Sequence, residues 1–249
     1  MSSIVLNERE WVENAIHRNE LGDKPYVTVS RIASYYHQAG YTPAEIRKRL
    51  EEFLLRCNPD DSIVKWSVYL DRAIKTAPKH PLRELDGVTI TKAEMKSIGR
   101  LRTRMQQRLM FTLLCLAKFW NTSSGNTASW VNCDSKEIFR LANIKVTTKR
   151  QSLMINDLWR EGYIGYSKIV DNININVKII NDDSEQVLYI NSFEDLGNQY
   201  MLAVGENYMT CPCCGAIIKR SSNSQKYCKH CAEEVRRQKS KREYYGTVA

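Results

Sequence analysis

Cys211-Pro-Cys-Cys214 and Cys228-Lys-His-Cys231 place two C-x2-C pairs thirteen residues apart near the end of a 249-residue chain. A zinc ion takes four soft ligands at tetrahedral corners, and each C-x2-C bend can present two thiolates from one tight turn. Gly215, directly after Cys214, supplies the backbone freedom that turns the chain back beneath a metal. Cys213 stands only two positions from Cys211 and has no glycine after it, and His230 lies beside two better-placed cysteines. The expected ligands are therefore Cys211, Cys214, Cys228 and Cys231, holding one structural Zn2+. Four protein ligands leave no open position for water, so such a metal folds its segment and does no chemistry.

Other chemistry is hard to find. His17, His37, His80 and His230 are not spaced with one another or with carboxylates as metal or triad partners would be. There is no GxxxxGK[ST] loop and no G-x-S-x-G elbow. Cys133 sits beside Asp134 at an expected helix start, without an identifiable basic partner, and reads as a buried thiol. The expectation is a protein that is not an enzyme.

With 43% hydrophobic and 26% charged residues, the chain can build a core without disulfides. The longest apolar run, from Leu109 to Trp120, is broken by Lys118 and too short to span a bilayer. The start shows no basic segment followed by a long apolar stretch, and a cytoplasmic protein with no membrane partner is expected. The net charge of +9 is concentrated: residues 89–120 carry seven basic side chains against one acid, and residues 206–249 carry nine against four. Such local basicity suits a polyanion.

The elements that must position these groups are legible as periodicities. Asn7 caps a helix carrying Trp11, Val12, Ala15 and Ile16; a second covers roughly 29–38; Thr42-Pro-Ala-Glu45 is a capping box opening a third; and 62–77 forms another. A connector around Pro78, Pro81 and Gly87 follows, then one long helix expected from Thr91 to Trp120, with Met95, Ile98, Met105, Leu109, Leu113, Leu116 and Trp120 on its buried side. Lys92, Lys96, Arg100, Arg104 and Arg108 recur along another ridge of it, either as a solvated face or as the mate of an acidic partner. Val187–Ile190 and Gln199–Val204 read as strands, and 192–196 as a helical turn.

Between them, Asp134 or Ser135 caps a short helix, Ile144 to Thr147 makes a turn, and a second helix runs from Thr148 to Glu161 before Gly162. Ile173, Ile175, Val177 and Ile179 then alternate with polar residues, the mark of a strand with one buried face. Helix, turn, helix and hairpin after a long helix is the order of a winged helix-turn-helix, whose second helix turns its N-terminal end to the major groove. That end carries Thr147, Thr148, Lys149, Arg150 and Gln151, donors suited to phosphates and base edges, while Leu153, Ile155, Leu158 and Trp159 are expected to face the core. Lys168 and Lys178 would lie on the wing, and Arg236, Arg237 and Lys241 on a basic helix leaving the cysteine segment. Winged helices also serve as protein-interaction modules, and this stretch has no net positive charge.

The phrases KPYVTVSRIASYYHQAGYTPAEIRKRLEEFL, SKEIFRLANI, LWREGYIGYSK, VGENYMTCPCCG and KYCKHC resemble uncharacterised proteins of phages and mobile elements of Gram-positive bacteria. The resemblance spans nearly the whole chain; it implies a winged helix joined to a zinc ribbon and carries no activity. The expected architecture is mainly α with small β elements, an α+β chain. It comprises a helical module at 1–88, a long helix with winged helix-turn-helix at 89–205, and a zinc ribbon with basic helix at 206–249. The expected function is binding of double-stranded DNA in transcriptional control or replication of a mobile element. The alternative is a phage protein that docks on a host nucleic-acid-processing complex and inhibits or modulates it, in the manner of an anti-defence protein.

Overall fold

A computed structural model describes residues 4–60, 62–167 and 174–246, with side chains in the last helix described to residue 239. It is a mainly helical α+β chain that divides into two compact units, Met1–Gly87 with Asn191–Phe193, and Val88–Ile190 with Glu194–Ala249.

The first unit holds α1 (Glu8–Arg18), α2 (Pro25–Gln38), α3 (Pro43–Cys57) and α4 (Ser67–Thr76). Asn7 caps α1 through its side chain, and Thr42 and Glu45 form the expected reciprocal capping box on α3. One apolar stripe from each helix meets the others: Val12, Val29, Ile32, Ile46, Leu50, Phe53 and Leu70 are sealed from solvent. Glu8 is buried there and is held by Arg83 at 2.6 Å and Arg31 at 3.0 Å.

The second unit runs β1 (Val88–Thr91), α5 (Lys92–Gly99), α6 (Arg104–Ser124), β2 (Trp130–Val131), α7 (Ser135–Leu141), α8 (Thr148–Arg160), β3 (Ile164–Tyr166), β4 (Ile175–Val177), β5 (Gln186–Ile190), α9 (Leu196–Ala203), β6 (Tyr208–Thr210), β7 (Ile217–Lys219) and α10 (Lys229–Gly246). Every residue from Leu109 to Ala117 on α6 is buried, so this helix is apolar all round. It touches β1, β2, β4, α5, α7, α8 and α9, and forms the spine of the unit. Lys118, buried on the same helix, is matched by Glu94 at 2.9 Å and Asp182 at 2.7 Å. A buried charge requires such a partner.

Several expectations are corrected. The single helix expected from Thr91 to Trp120 is two helices: Thr91 ends β1 and caps α5, and the chain leaves helical geometry until Thr103 caps α6. Gln107 donates to the carbonyls of Leu101 at 2.8 Å and Gly99 at 3.3 Å, giving partners to the backbone that the break exposes. Leu101 stays buried, so the apolar period continues across the break and conceals it. Met105, expected on the buried side, is 40% exposed. The stretch 199–204, expected as a strand, lies largely in α9, where Leu196, Tyr200 and Met201 are buried against α6 and the β6–β7 hairpin. Tyr200 donates to Gln107 Oε1 at 3.1 Å, and its ring lies 5.2 Å from that of Phe111. Of the helical turn expected at 192–196, Glu194 and Asp195 form a turn that leads into α9 at Leu196, whereas Ser192 and Phe193 lie outside it. The strand expected at 187–190 is present as β5, antiparallel to β1 with Val88 opposite Ile190.

The order α6, β2, α7, α8, β3, β4 closes with a three-stranded antiparallel sheet in spatial order β2-β4-β3. Val131, Ile164, Ile175 and Val177 are its buried side chains, so the period-two alternation read in the sequence holds where the strand is described.

Candidate functional site

The cysteine segment is built from two bends. β6 and β7 pair with Thr210 opposite Ile217, and Cys211 through Ala216 make the turn between them. Cys211 N–H donates to Ala216 O and Gly215 N–H to Cys211 O, both at 2.9 Å, with Gly215 at φ +72°. The second bend is the start of α10, where Cys228 and Cys231 sit one turn apart. The four Sγ atoms of Cys211, Cys214, Cys228 and Cys231 lie within 4.8 Å of one another. Cys214 and Cys228 Sγ are 3.7 Å apart, close to the ~3.8 Å edge of a tetrahedron with ~2.3 Å metal–sulfur bonds. Cys211, Cys228 and Cys231 are buried, Cys214 is exposed, and Ile218 and Tyr227 pack against them. Cys213 points outward, apart from the cluster.

The donor set fits a metal ion. The N–H of Cys228 donates to Cys211 Sγ and that of Cys231 to Cys228 Sγ, each at 3.4 Å. The Cys228 N–H, opposing burial and aided by those of Cys214 and Cys213, holds the Cys211 thiol down at about 6. Cys231 is pushed upward by hydrogen bonding to the sulfurs of Cys228 and Cys214. Four reduced thiols whose sulfurs converge in this way can be taken together by one cation, which binds them as thiolates and offsets their charge as the protons leave.

Among the residues expected to meet nucleic acid, Thr147 caps α8 by accepting from Arg150 N–H at 3.4 Å. Thr148, Lys149 and Arg150 are exposed, and Lys149 and Arg150 have no side-chain partner among the described residues. Gln151 is half-buried and turns its amide back toward Val146 O at 3.4 Å, away from that exposed set. Lys178 is exposed just past β4, whereas Lys168 and Ile173 lie outside the described residues. On α10, Arg236 is exposed and Arg237 pairs with Glu234 at 2.9 Å; the side chain of Lys241 lies outside the described residues.

The core face of α8 differs from the expectation. Met154, Ile155 and Leu158 are buried, but Leu153 is 47% and Trp159 48% exposed. At 100° per residue, Leu153 falls within about 40° of Lys149 and about 20° of Arg160, all three exposed, with half-buried Asn156 at the edge of the same stripe. The Asn156 amide has no partner among the described residues, and it is a position that reading the helix's first turns alone missed. Trp159 leans on the hairpin, its ring 6.0 Å from Tyr166.

The basic ridge is divided by the break between α5 and α6; Lys92, Lys96, Arg100 and Arg104 are exposed, as on a solvated face, and Arg108 leaves the surface. Lys92 pairs with Glu185 at 3.0 Å and Arg104 with Glu206 at 2.6 Å. Arg108 is turned inward: its Nη2 donates to Ala142 O at 2.9 Å and also to Asn143 O, closing the end of α7. Burial lowers its pKa, and the two carbonyls take the place of water. Lys96 and Arg100 remain exposed. No known protein family, curated protein or solved structure matches this chain.

Proposed function

We propose that the chain is a non-enzymatic double-stranded DNA-binding protein of a phage or mobile element, acting in transcriptional control or replication. In this reading α6 to β4 is a winged helix, and β6, β7 and the start of α10 are a zinc ribbon whose one Zn2+ is structural. The observation that carries it is the first turn of α8: a capped N-terminus followed by exposed Thr148, Lys149 and Arg150, whose two cations have no side-chain partner among the described residues, on a helix whose other end packs on a hairpin. Lys149 and Arg150 neutralise phosphates or reach guanine acceptors, Asn156 suits adenine, and the exposed Leu153 suits a thymine methyl. Arg236 and the wing lysine Lys178 add backbone contacts. The zinc ion contributes by folding a segment too short to build its own core.

The test is titration of labelled duplex at several salt concentrations. Affinity should fall linearly on a log–log plot, and Lys149→Ala and Arg150→Ala should each reduce the slope by about one. No duplex binding, or a slope indifferent to both substitutions, overturns the reading.

A second reading has its own observation. In the first unit Val64 is 81% and Val68 76% exposed, one helical turn apart, beside Tyr26 at 50% and Tyr69 at 42%. Apolar groups so displayed fit a docked protein, as in a phage product that blocks or redirects a host nucleic-acid-processing complex. Under that reading one host protein stays bound after nuclease treatment, Val68→Asp releases it, and Lys149→Ala and Arg150→Ala are tolerated.

A further inference from the structure

We propose that Asn198 is a positioning residue that couples the cysteine metal centre to the turn between α7 and α8, so that metal occupancy sets how firmly α8 is aimed. Its consequence for binding rests on the DNA reading above; the coupling itself does not.

Asn198 lies in the first turn of α9 and is 6% exposed. Both ends of its amide are engaged by segments far apart in sequence. Nδ2 donates to Ile217 O at 2.8 Å, and Oδ1 accepts from Asn143 Nδ2 at 3.0 Å. Ile217 opens β7 directly after the first cysteine bend and pairs with Thr210, the residue before Cys211. The direction of its carbonyl is therefore set by the bend that presents Cys211 and Cys214. At the other end, Asn143 occupies the left-handed region at φ +52°. Its N–H donates to Arg140 O and that of Ile144 to Phe139 O, both at 2.9 Å, which closes α7 four residues before Thr147 caps α8. Gly197 permits this approach, since a Cβ there would stand 1.9 Å from Ala142 O.

With the four sulfurs gathered on an ion, the chain Ile217, Asn198, Asn143 is a continuous hydrogen-bonded brace. Without the ion, the bend relaxes, the Ile217 carbonyl loses its fixed direction, and the buried amide of Asn198 loses its acceptor. The turn keeps Arg108 and loses this second tether, so it loosens while α6 and its core stay folded. Linkage is reciprocal: a ligand that steadies the turn raises the affinity for the metal by the same factor.

The test is backbone hydrogen exchange on the full chain, metal-loaded and chelator-treated, beside metal-loaded Asn198→Asp and Asn198→Ala. Asn198→Asp still accepts from Asn143 but cannot donate to Ile217 O. Amides of residues 143–151 should exchange about tenfold faster in the chelated wild type and in both loaded variants. Chelation should add nothing further to that segment in the variants, and the α6 amides should remain protected. Turn protection that is unchanged by chelation of the wild type, or equal to wild type in both loaded variants, overturns the proposal. If both variants lose α6 protection, the wild-type arm alone decides. Exchange is read without DNA, so failure of the loaded protein to bind duplex counts against α8 as a reader and leaves this test intact.

Discussion

Among the described glycines, Gly197 has the least room. A Cβ built there stands 1.9 Å from the oxygen and 2.6 Å from the carbon of the Ala142 carbonyl, and neither belongs to a flexible side chain. Gly197→Ala should lower stability on the order of 3 kcal/mol, read from the urea midpoint, by forcing α9 away from the end of α7. Nothing in the local sequence marks this glycine, because the group it avoids is 55 residues away. Glu8 carries the other single-residue expectation. Burial tends to raise its pKa, but the Arg83 side chain and N–H, with the Arg31 guanidinium, overcome this and hold it below the ordinary carboxylate value. Its folded-state pKa is depressed, so its stabilisation is present above about pH 4.3, the ordinary glutamate value, and is lost as pH falls through the folded-state pKa. The urea midpoint of wild type should therefore fall across this acid range. Glu8→Gln should be less stable by about 3 kcal/mol near pH 7 and should show a flatter acid profile.

At the scale of elements, two arginines alike in sequence have different surroundings. Arg108 closes α7 through Ala142 O and Asn143 O, whereas Arg150 projects from α8 without a partner among the described residues. Arg108→Ala should lower the thermal midpoint, with a loss of about 2 kcal/mol from unpaired carbonyls, while Arg150→Ala should leave it within about 0.5 kcal/mol of wild type. Equal effects of the two on stability would refute this division. Periodicity made α8 legible, since Met154, Ile155 and Leu158 share one face, and Thr147 and Asp134 marked two helix starts. It misassigned Leu153 and Trp159 because an apolar side chain on a short helix scores as core whichever way it faces. It also hid the gap between α5 and α6 and gave α9 the wrong class. At 199–204 the bulky residues fit a strand as well as a helix, and only packing against α6 and the β6–β7 hairpin decides.

For the whole molecule, the cluster of Cys211, Cys214, Cys228 and Cys231 joins the turn between β6 and β7 to the start of α10. Cys228→Ser should reduce metal content from about one ion per chain toward none, measured by native mass spectrometry, and should make the segment from Tyr208 to Tyr227 open to protease while α6 stays intact. Unchanged metal content would remove Cys228 from the ligand set. The sequence by itself determined what depends on near neighbours: the two C-x2-C pairs, the glycine that turns the first bend, the caps of α1, α3 and α8, and the alternation within β4. Each arises from residues a few positions apart, whose chemistry acts before the chain folds back. The tertiary structure decided what depends on remote partners: that Lys92, Arg104 and Arg108 are occupied internally, that Lys118 is buried between Glu94 and Asp182, and that Asn198 spans from Asn143 to Ile217. A charge or an amide reads the same in sequence whether water or another helix satisfies it, and only the folded chain supplies the group that does.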